Sequence, residues 1–235
     1  MNKKTVTDEI KRIMIVDDHP LVREGLAGTI MTQPDMCVCG EAATASEAMQ
    51  KIDAAKPDAI IIDLSLPGPN GMELIKDLQA RYSALPKLVL SMHDEALYAE
   101  RALRAGARGY LMKGEPTDKI IEALRTIMRG ELYASSNILG RILQMALNGR
   151  STDASPASFI KQLSDREIQV FEGIGNGLST KELAKEYGIS PKTVETYRSH
   201  IKHKLRLASN NDLIHTAVRW VEDEAAGGTV RPSGG

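Results

Sequence analysis

The chain has no long apolar run, only two cysteines, almost no net charge and no internal repeat. Without roughly 18–20 consecutive apolar residues no helix can span a bilayer. Met1 to Lys11 is polar and lacks the apolar centre of a secretory signal, so a cytoplasmic protein with no membrane partner is expected. Cys37 and Cys39 lie two apart and point to opposite faces of a strand, which makes them poor disulfide partners. They read as small strand hydrophobes in a reducing compartment. A formal net charge of -1 gives no whole-protein field for nucleic acid, so any basic face has to be local. The 235 residues allow one large or two modest domains.

Against these absences stand four polar sites, each placed where an apolar run stops. Asp17 and Asp18 follow Ile13-Met14-Ile15-Val16, and Asp63 follows Ala59-Ile60-Ile61-Ile62. Ser91 follows Leu88-Val89-Leu90, and Lys113 follows Tyr110-Leu111-Met112. Continuous apolar runs read as strands buried on both faces of a parallel sheet. Such sheets place their ligand beyond the carboxyl ends of the strands, so three carboxylates, a hydroxyl and an ammonium should converge on one edge. Strands over 11–16, 36–41, 58–63, 87–91 and 108–112 alternate with helices over 20–31, 46–54, 71–81, 96–105 and 117–128. This alternation predicts an α/β domain: a flavodoxin-like, doubly wound, five-stranded parallel sheet with its switch point beside the first strand.

The alternation stops after Gly130. Residues 135–147 read as a linker helix, and the small, polar stretch 149–158 as a flexible boundary. Beyond it every apolar pattern has helical period, which predicts an all-α four-helix domain. Ser164 with Glu167, and Ser179 with Glu182, have the spacing of capping boxes. Gly188 reads as a left-handed helix end, and Ser190-Pro191 as a cap followed by a first-turn proline. Ser209 or Asn210 caps a last helix reaching Val221. The expected organisation is a first domain over 11–130, a linker over 131–158, a helical domain over 159–221, and a disordered tail over 222–235.

Carboxylates crowded as Asp17, Asp18 and Asp63 would be are costly unless a cation binds. Hard oxygen ligands with an open position suit Mg²⁺, which favours phosphate oxygens as further ligands. Asp63 is then a candidate nucleophile forming an aspartyl phosphate. Lys113 would pair with the phosphate oxygens, and Ser91 would donate a hydrogen bond to one of them. A phosphatase or phosphotransferase of this kind needs an acid-base group two residues after the nucleophile. Ser65 stands there and cannot do that work, so no enzymatic turnover is expected. His19 reads as a loop residue beside the acidic pair, and His93 with Asp94 as turn and cap.

The segments I-V-D-D-H-P-L-V-R-E-G-L, I-I-D-L-S-L-P-G-P-N-G-M-E-L, L-V-L-S-M-H-D-E and G-A-R-G-Y-L-M-K-G resemble the receiver domain of two-component response regulators. The resemblance implies Asp63 as phosphoacceptor. It implies Mg²⁺ held by Asp18, Asp63 and the main-chain carbonyl of Ser65, with help from Asp17. It implies Ser91 and Tyr110 as a switch pair, the Tyr110 ring moving inward as Ser91 turns to the phosphate, and Lys113 as phosphate partner. Pro67-Gly68 and Gly71 would shape the adjoining loop. Serine at 91, where many relatives have threonine, keeps the hydroxyl.

From Ser190 to Arg206 there are five basic residues, Lys192, Arg198, Lys202, Lys204 and Arg206, and one acidic residue, Glu195. This is the local basic stretch that contact with a phosphate backbone requires. Val194, Ile201 and Leu205 recur at helical spacing and should face inward. With the helix over 180–187 and its short turn they form a helix-turn-helix pattern, whose second helix enters the major groove. The run from L-S-D-R-E-I-Q-V-F to Y-R-S-H-I-K-H-K-L resembles the LuxR-type helix-turn-helix across 159–221. Both halves together resemble the NarL/FixJ class of response regulator.

This resemblance implies base-reading positions at Lys192, Glu195, Thr196 and Ser199, and backbone contacts at Thr193, Tyr197, Arg198, Lys202 and Lys204. Glu195 can accept from a cytosine amino group or can stabilise the helix surface. The last helix, around Leu213, Ile214, Ala217 and Val218, is the implied dimer surface. The implied function is a transcriptional regulator phosphorylated by a sensor histidine kinase. Phosphorylation would free a helix-turn-helix that the receiver partly covers. The homodimer would then grip inverted-repeat sites in double-stranded DNA, with RNA polymerase as a further partner. Half-sites about one helical turn apart and binding that falls steeply with salt are expected.

Overall fold

The computed structural model describes residues 9–93, 95–148 and 160–225. Expectations for the first eight residues, Asp94, the boundary over 149–158 and the tail beyond 225 lie outside the described residues. The chain forms two compact units, dividing between Arg150 and Ser151. Among the described residues no helix is long and apolar enough to cross a membrane.

The first unit is built on five strands: β1 (Lys11–Val16), β2 (Met36–Ala42), β3 (Ala59–Ile62), β4 (Lys87–Ser91) and β5 (Gly109–Met112). They form one sheet in the order β2-β1-β3-β4-β5, all neighbours parallel. Helices α1 (Pro20–Met31), α2 (Ala45–Ala55), α3 (Gly71–Arg81), α4 (Glu95–Ala105) and α5 (Thr117–Met128) follow the strands in turn. The strand order reverses at β1, so the crevice of this flavodoxin-like sheet opens at the ends of β1 and β3. Ile13 to Val16 and Ala59 to Ile62 are buried along their whole length, as strands covered on both faces must be. One face packs Ile13, Ile15, Ile61, Leu88 and Leu90 against Leu26 and Ile30 of α1 and Ile121, Leu124 and Ile127 of α5. Each such side chain contributes about 2 kcal/mol of burial. Cys37 and Cys39 are free thiols, both partly buried.

A sixth helix, α6 (Ser136–Asn148), falls in the first unit and packs against α4. Its approach runs along the open edge of β5. There Tyr110 N–H donates to the Tyr133 carbonyl at 2.8 Å, and Tyr133 N–H donates to the Arg108 carbonyl at 2.9 Å.

The second unit holds a short 3₁₀ turn (Ile160–Gln162), α7 (Asp165–Gly175), α8 (Thr180–Glu186), α9 (Pro191–Leu205) and α10 (Asn210–Ala225). Both capping boxes form, Ser164 with Glu167 and Ser179 with Glu182. Gly188 takes the left-handed conformation, φ 62°, that a side chain would resist. Ser190 caps α9 and Pro191 opens it. Helix α7 packs against α9 and α10, around Ile168, Phe171, Leu183, Val194 and Ile201.

Candidate functional site

The strand ends bring the expected polar groups to one edge. Hydrogen bonding continues one residue past the strands: Asp63 N–H donates to the Val16 carbonyl at 2.8 Å, and Lys113 N–H to the Ser91 carbonyl at 2.7 Å. The side chains meet there. Lys113 Nζ lies 2.6 Å from Asp17 Oδ2 and 2.9 Å from Asp63 Oδ2. Asp17 Oδ1 accepts from the His19 N–H at 2.9 Å, at the start of α1. Gly71, the first residue of α3, lies so close to β3 that a Cβ there would stand 2.0 Å from the Asp63 carbonyl oxygen.

Ligand atoms of Asp17, Asp18, His19 and Asp63 all lie within 4.8 Å of one another. Asp18 Oδ1 and Asp63 Oδ1 are buried and accept no hydrogen bond. His19 Nδ1 lies 2.8 Å from Asp18 Oδ1 but without the alignment of a bond. Buried anionic oxygens without donors are expensive, and a hard divalent cation is the partner that the three carboxylates of this set fit. Burial pushes the Asp63 carboxyl above the usual carboxylate range, against the pull of Lys113. Burial alone would lower the Lys113 ammonium, but its bonds to Asp17 and Asp63 prevail and hold it above its ordinary value.

Ser91 is fully buried, and its hydroxyl accepts from the His93 N–H at 3.1 Å. Tyr110 is buried too, its hydroxyl donating to the His93 carbonyl at 2.8 Å. In this conformation the Tyr110 ring lies inside, where its hydroxyl finds an acceptor. Ser65 is exposed at the rim, its hydroxyl 3.0 Å from His93 Nε2. His93, read from sequence as turn and cap, instead joins three of these residues. No local signal could show this, because Ser65 is 28 residues away and Tyr110 is 17.

In the second unit, Lys192, Glu195, Thr196 and Ser199 are exposed on α9, and Thr193, Tyr197 and Lys202 are partly exposed. Glu195 accepts from the Thr180 hydroxyl at 2.8 Å, tying α9 to the start of α8. Lys204 Nζ lies 2.6 Å from Glu167 Oε2, a buried carboxylate, while the lysine side chain stays 37% exposed. Burial would raise the Glu167 carboxyl, but Lys204 and the Ser164 backbone hold it below its usual value. The Arg198 side chain is only 11% exposed, with Nε buried and 4.0 Å from Glu195 Oε1. The dimer surface expected at Leu213 and Ala217 is corrected: both are fully buried in the unit's own core, where Ala217 closes over Gly175, and cannot offer an outer face. Ile214 is the large apolar residue that α10 exposes.

An acidic pocket at the switch point of a doubly wound sheet, followed by a helix-turn-helix, defines a regulator with separate input and DNA-binding units. Residues 13–125 match the family described as response regulator receiver domain, and residues 161–217 the bacterial regulatory proteins of the luxR family. Oxygen regulatory protein NreC of Staphylococcus haemolyticus is 35% identical over 210 residues, covering 88% of this chain and 97% of its own. NreC of Staphylococcus carnosus is 34% identical over the same shares. A LuxR-family two-component response regulator from Aurantimonas sp. shares 35% identity at a TM-score of 0.54, over 60% of this chain and 100% of its own. RcsB from Salmonella enterica serovar Typhimurium, solved on a promoter with a phosphomimetic, shares the fold at a TM-score of 0.63. It is 23% identical and covers 90% of this chain and 100% of its own. The chain belongs to the response regulators that join a receiver domain to a LuxR-type DNA-binding domain, a family of transcription regulators and not of classical enzymes.

Proposed function

We propose that the chain is a phosphorylation-controlled transcription factor with Asp63 as phosphoacceptor. The buried, unpartnered Asp63 Oδ1 beside an ammonium carries this reading. An Asp63 oxygen attacks the phosphorus of a phosphohistidine on a sensor kinase; the P–O bond forms as the P–N bond breaks, and the imidazole leaves neutral, taking the bond's electron pair and keeping the proton already on its other ring nitrogen. Asp18, Asp63 and the Ser65 carbonyl, with Asp17, would hold Mg²⁺, which when bound offsets the charge of the phosphoryl group. Lys113 transfers its hydrogen bonds from the carboxylates to the new phosphate oxygens. The Ser91 hydroxyl accepts from His93, which leaves its own O–H free to donate to the phosphate. Tyr110 and the surface of α4, β5 and α5 respond.

The receiver restrains the recognition helix at rest, and phosphorylation releases it to pair as a homodimer on inverted repeats. Lys192, Thr196 and Ser199 face base edges, while Thr193, Tyr197 and Lys202 touch the backbone. Acetyl phosphate with magnesium should leave a base-labile phosphoryl group on the wild type and none on Asp63→Asn, by intact mass spectrometry. Genome-wide mapping should show promoter occupancy lost in a folded Asp63→Ala variant. Equal occupancy overturns phosphorylation control.

A further inference from the structure

His93 is the point where several parts of the first unit meet. Its N–H and carbonyl hold the hydroxyls of Ser91 and Tyr110. Its ring bonds Ser65 through Nε2 and also stacks on Tyr98 of α4, centroids 4.5 Å apart and planes inclined by 30°. Tyr98 is buried, so one ring cannot move while its neighbour stays; close-packed interiors transmit such displacements. When Ser91 turns, its bond to the His93 N–H either breaks or carries His93 along.

Helix α4 is in turn tied to the helix that leads out of the unit. The Glu95 carboxylate, at the first residue of α4, accepts from the Ser135 N–H at 2.9 Å. The Ser135 hydroxyl accepts from the Ile138 N–H at 3.3 Å and so caps α6. Ile138 is buried, and α6 packs on α4. Two residues before Ser135, Tyr133 is bonded to β5. The root of α6 is therefore held by β5 and α4, the two elements that touch His93 through Tyr110 and Tyr98. A helix of 13 residues is marginal by itself, so its order depends on this anchorage.

We propose that His93 is a positioning residue that carries the state of Asp63 to α6 through α4, with Glu95 as the last link. The proposal rests on the reading of Asp63 as phosphoacceptor. Phosphorylation moves Ser91 and with it His93; the stacked Tyr98 shifts α4, and the Glu95 cap loosens or tightens α6. The linker helix is then the output of the first unit as well as its tether.

Hydrogen exchange over residues 136–143 tests this in the full chain, with and without acetyl phosphate and magnesium. Phosphoryl uptake is read on the same samples by intact mass. The wild type should take up the group and change its exchange there by about threefold or more. His93→Ala and Glu95→Ala should still take it up while that change disappears. His93→Phe, which keeps a ring on Tyr98, should restore the response. Full uptake with an unchanged response in both alanine variants overturns the proposal alone, as does wild-type uptake with no response at 136–143. Should His93→Ala fail to take up the group, Glu95→Ala, one element away from the chemistry, decides. A wild type that takes up no phosphoryl group overturns the reading of Asp63 and this proposal with it.

Discussion

Lys113 and Asp63 are joined at 2.9 Å across the carboxyl edge of the sheet, and the same ammonium also neutralises Asp17. Its removal leaves two buried carboxylates facing each other. Breaking a buried pair costs about 3–5 kcal/mol. Calorimetry in chelator should show Lys113→Met with a markedly lower unfolding temperature for the first unit. A variant as stable as the wild type would overturn the ion pair's contribution to the fold.

The acidic set should bind magnesium in the absence of any phosphodonor. At tenfold over its dissociation constant the ion should add about 1.4 kcal/mol of stability, through its preference for the folded state. Asp18→Asn should lose most of that gain when melting curves in chelator and in magnesium are compared. An equal gain in the variant removes Asp18 from the ligand set.

Lys87 is fully buried at the opposite end of β4, its ammonium held by Gln79 Oε1 at 2.9 Å and the Leu85 carbonyl at 3.0 Å. Burial, helped by the nearby Arg108, pushes its pKa down from 10.5 to about 8. Between those values the unfolded chain holds a proton that the folded chain has released, so stability rises with pH across that window. The rise amounts to up to about 3 kcal/mol. Urea unfolding of the wild type and Lys87→Met from pH 7 to 10.5 should differ by this increment; parallel curves would refute it.

Lys202 and Lys204 are two apart on α9 but should behave differently. With random-sequence duplex as probe, Lys202→Ala should shrink the slope of log affinity against log salt by about one. Lys204→Ala should leave the slope alone and destabilise the second unit by about 2 kcal/mol, because the buried Glu167 loses its ammonium and keeps its bond from the Ser164 N–H. The depressed Glu167 carboxyl supplies stability that is present above the ordinary glutamate pKa of 4.5 and is lost as pH falls through its lower folded value. Glu167→Gln should flatten that acid limb in thermal melts. A slope change with Lys204→Ala would restore it to the DNA face.

Much of the carboxylate edge was legible because the apolar runs of β1, β3 and β4 are buried on both faces, and each stops where a polar side chain must emerge. The caps at Ser164, Ser179 and Ser190 were legible because a cap and its partner lie within one turn. The joining role of His93 was not, since it depends on loops brought together by strand order. The fate of Lys204 hung on Glu167, 37 residues earlier and on another helix. Leu213 and Ala217 show the limit of periodicity, which marks an apolar stripe but not whether the stripe meets its own unit or a second copy. For α10 the answer is α7.

Gly71 leaves no room for even a methyl group beside the carbonyl of residue 63. The bank of the crevice formed by β3 and α3 is thus a fixed abutment, and alanine at 71 would have to displace the main chain that bears the acceptor. Any give that an arriving phosphoryl group demands must be found on the far bank, among the residues that follow β4.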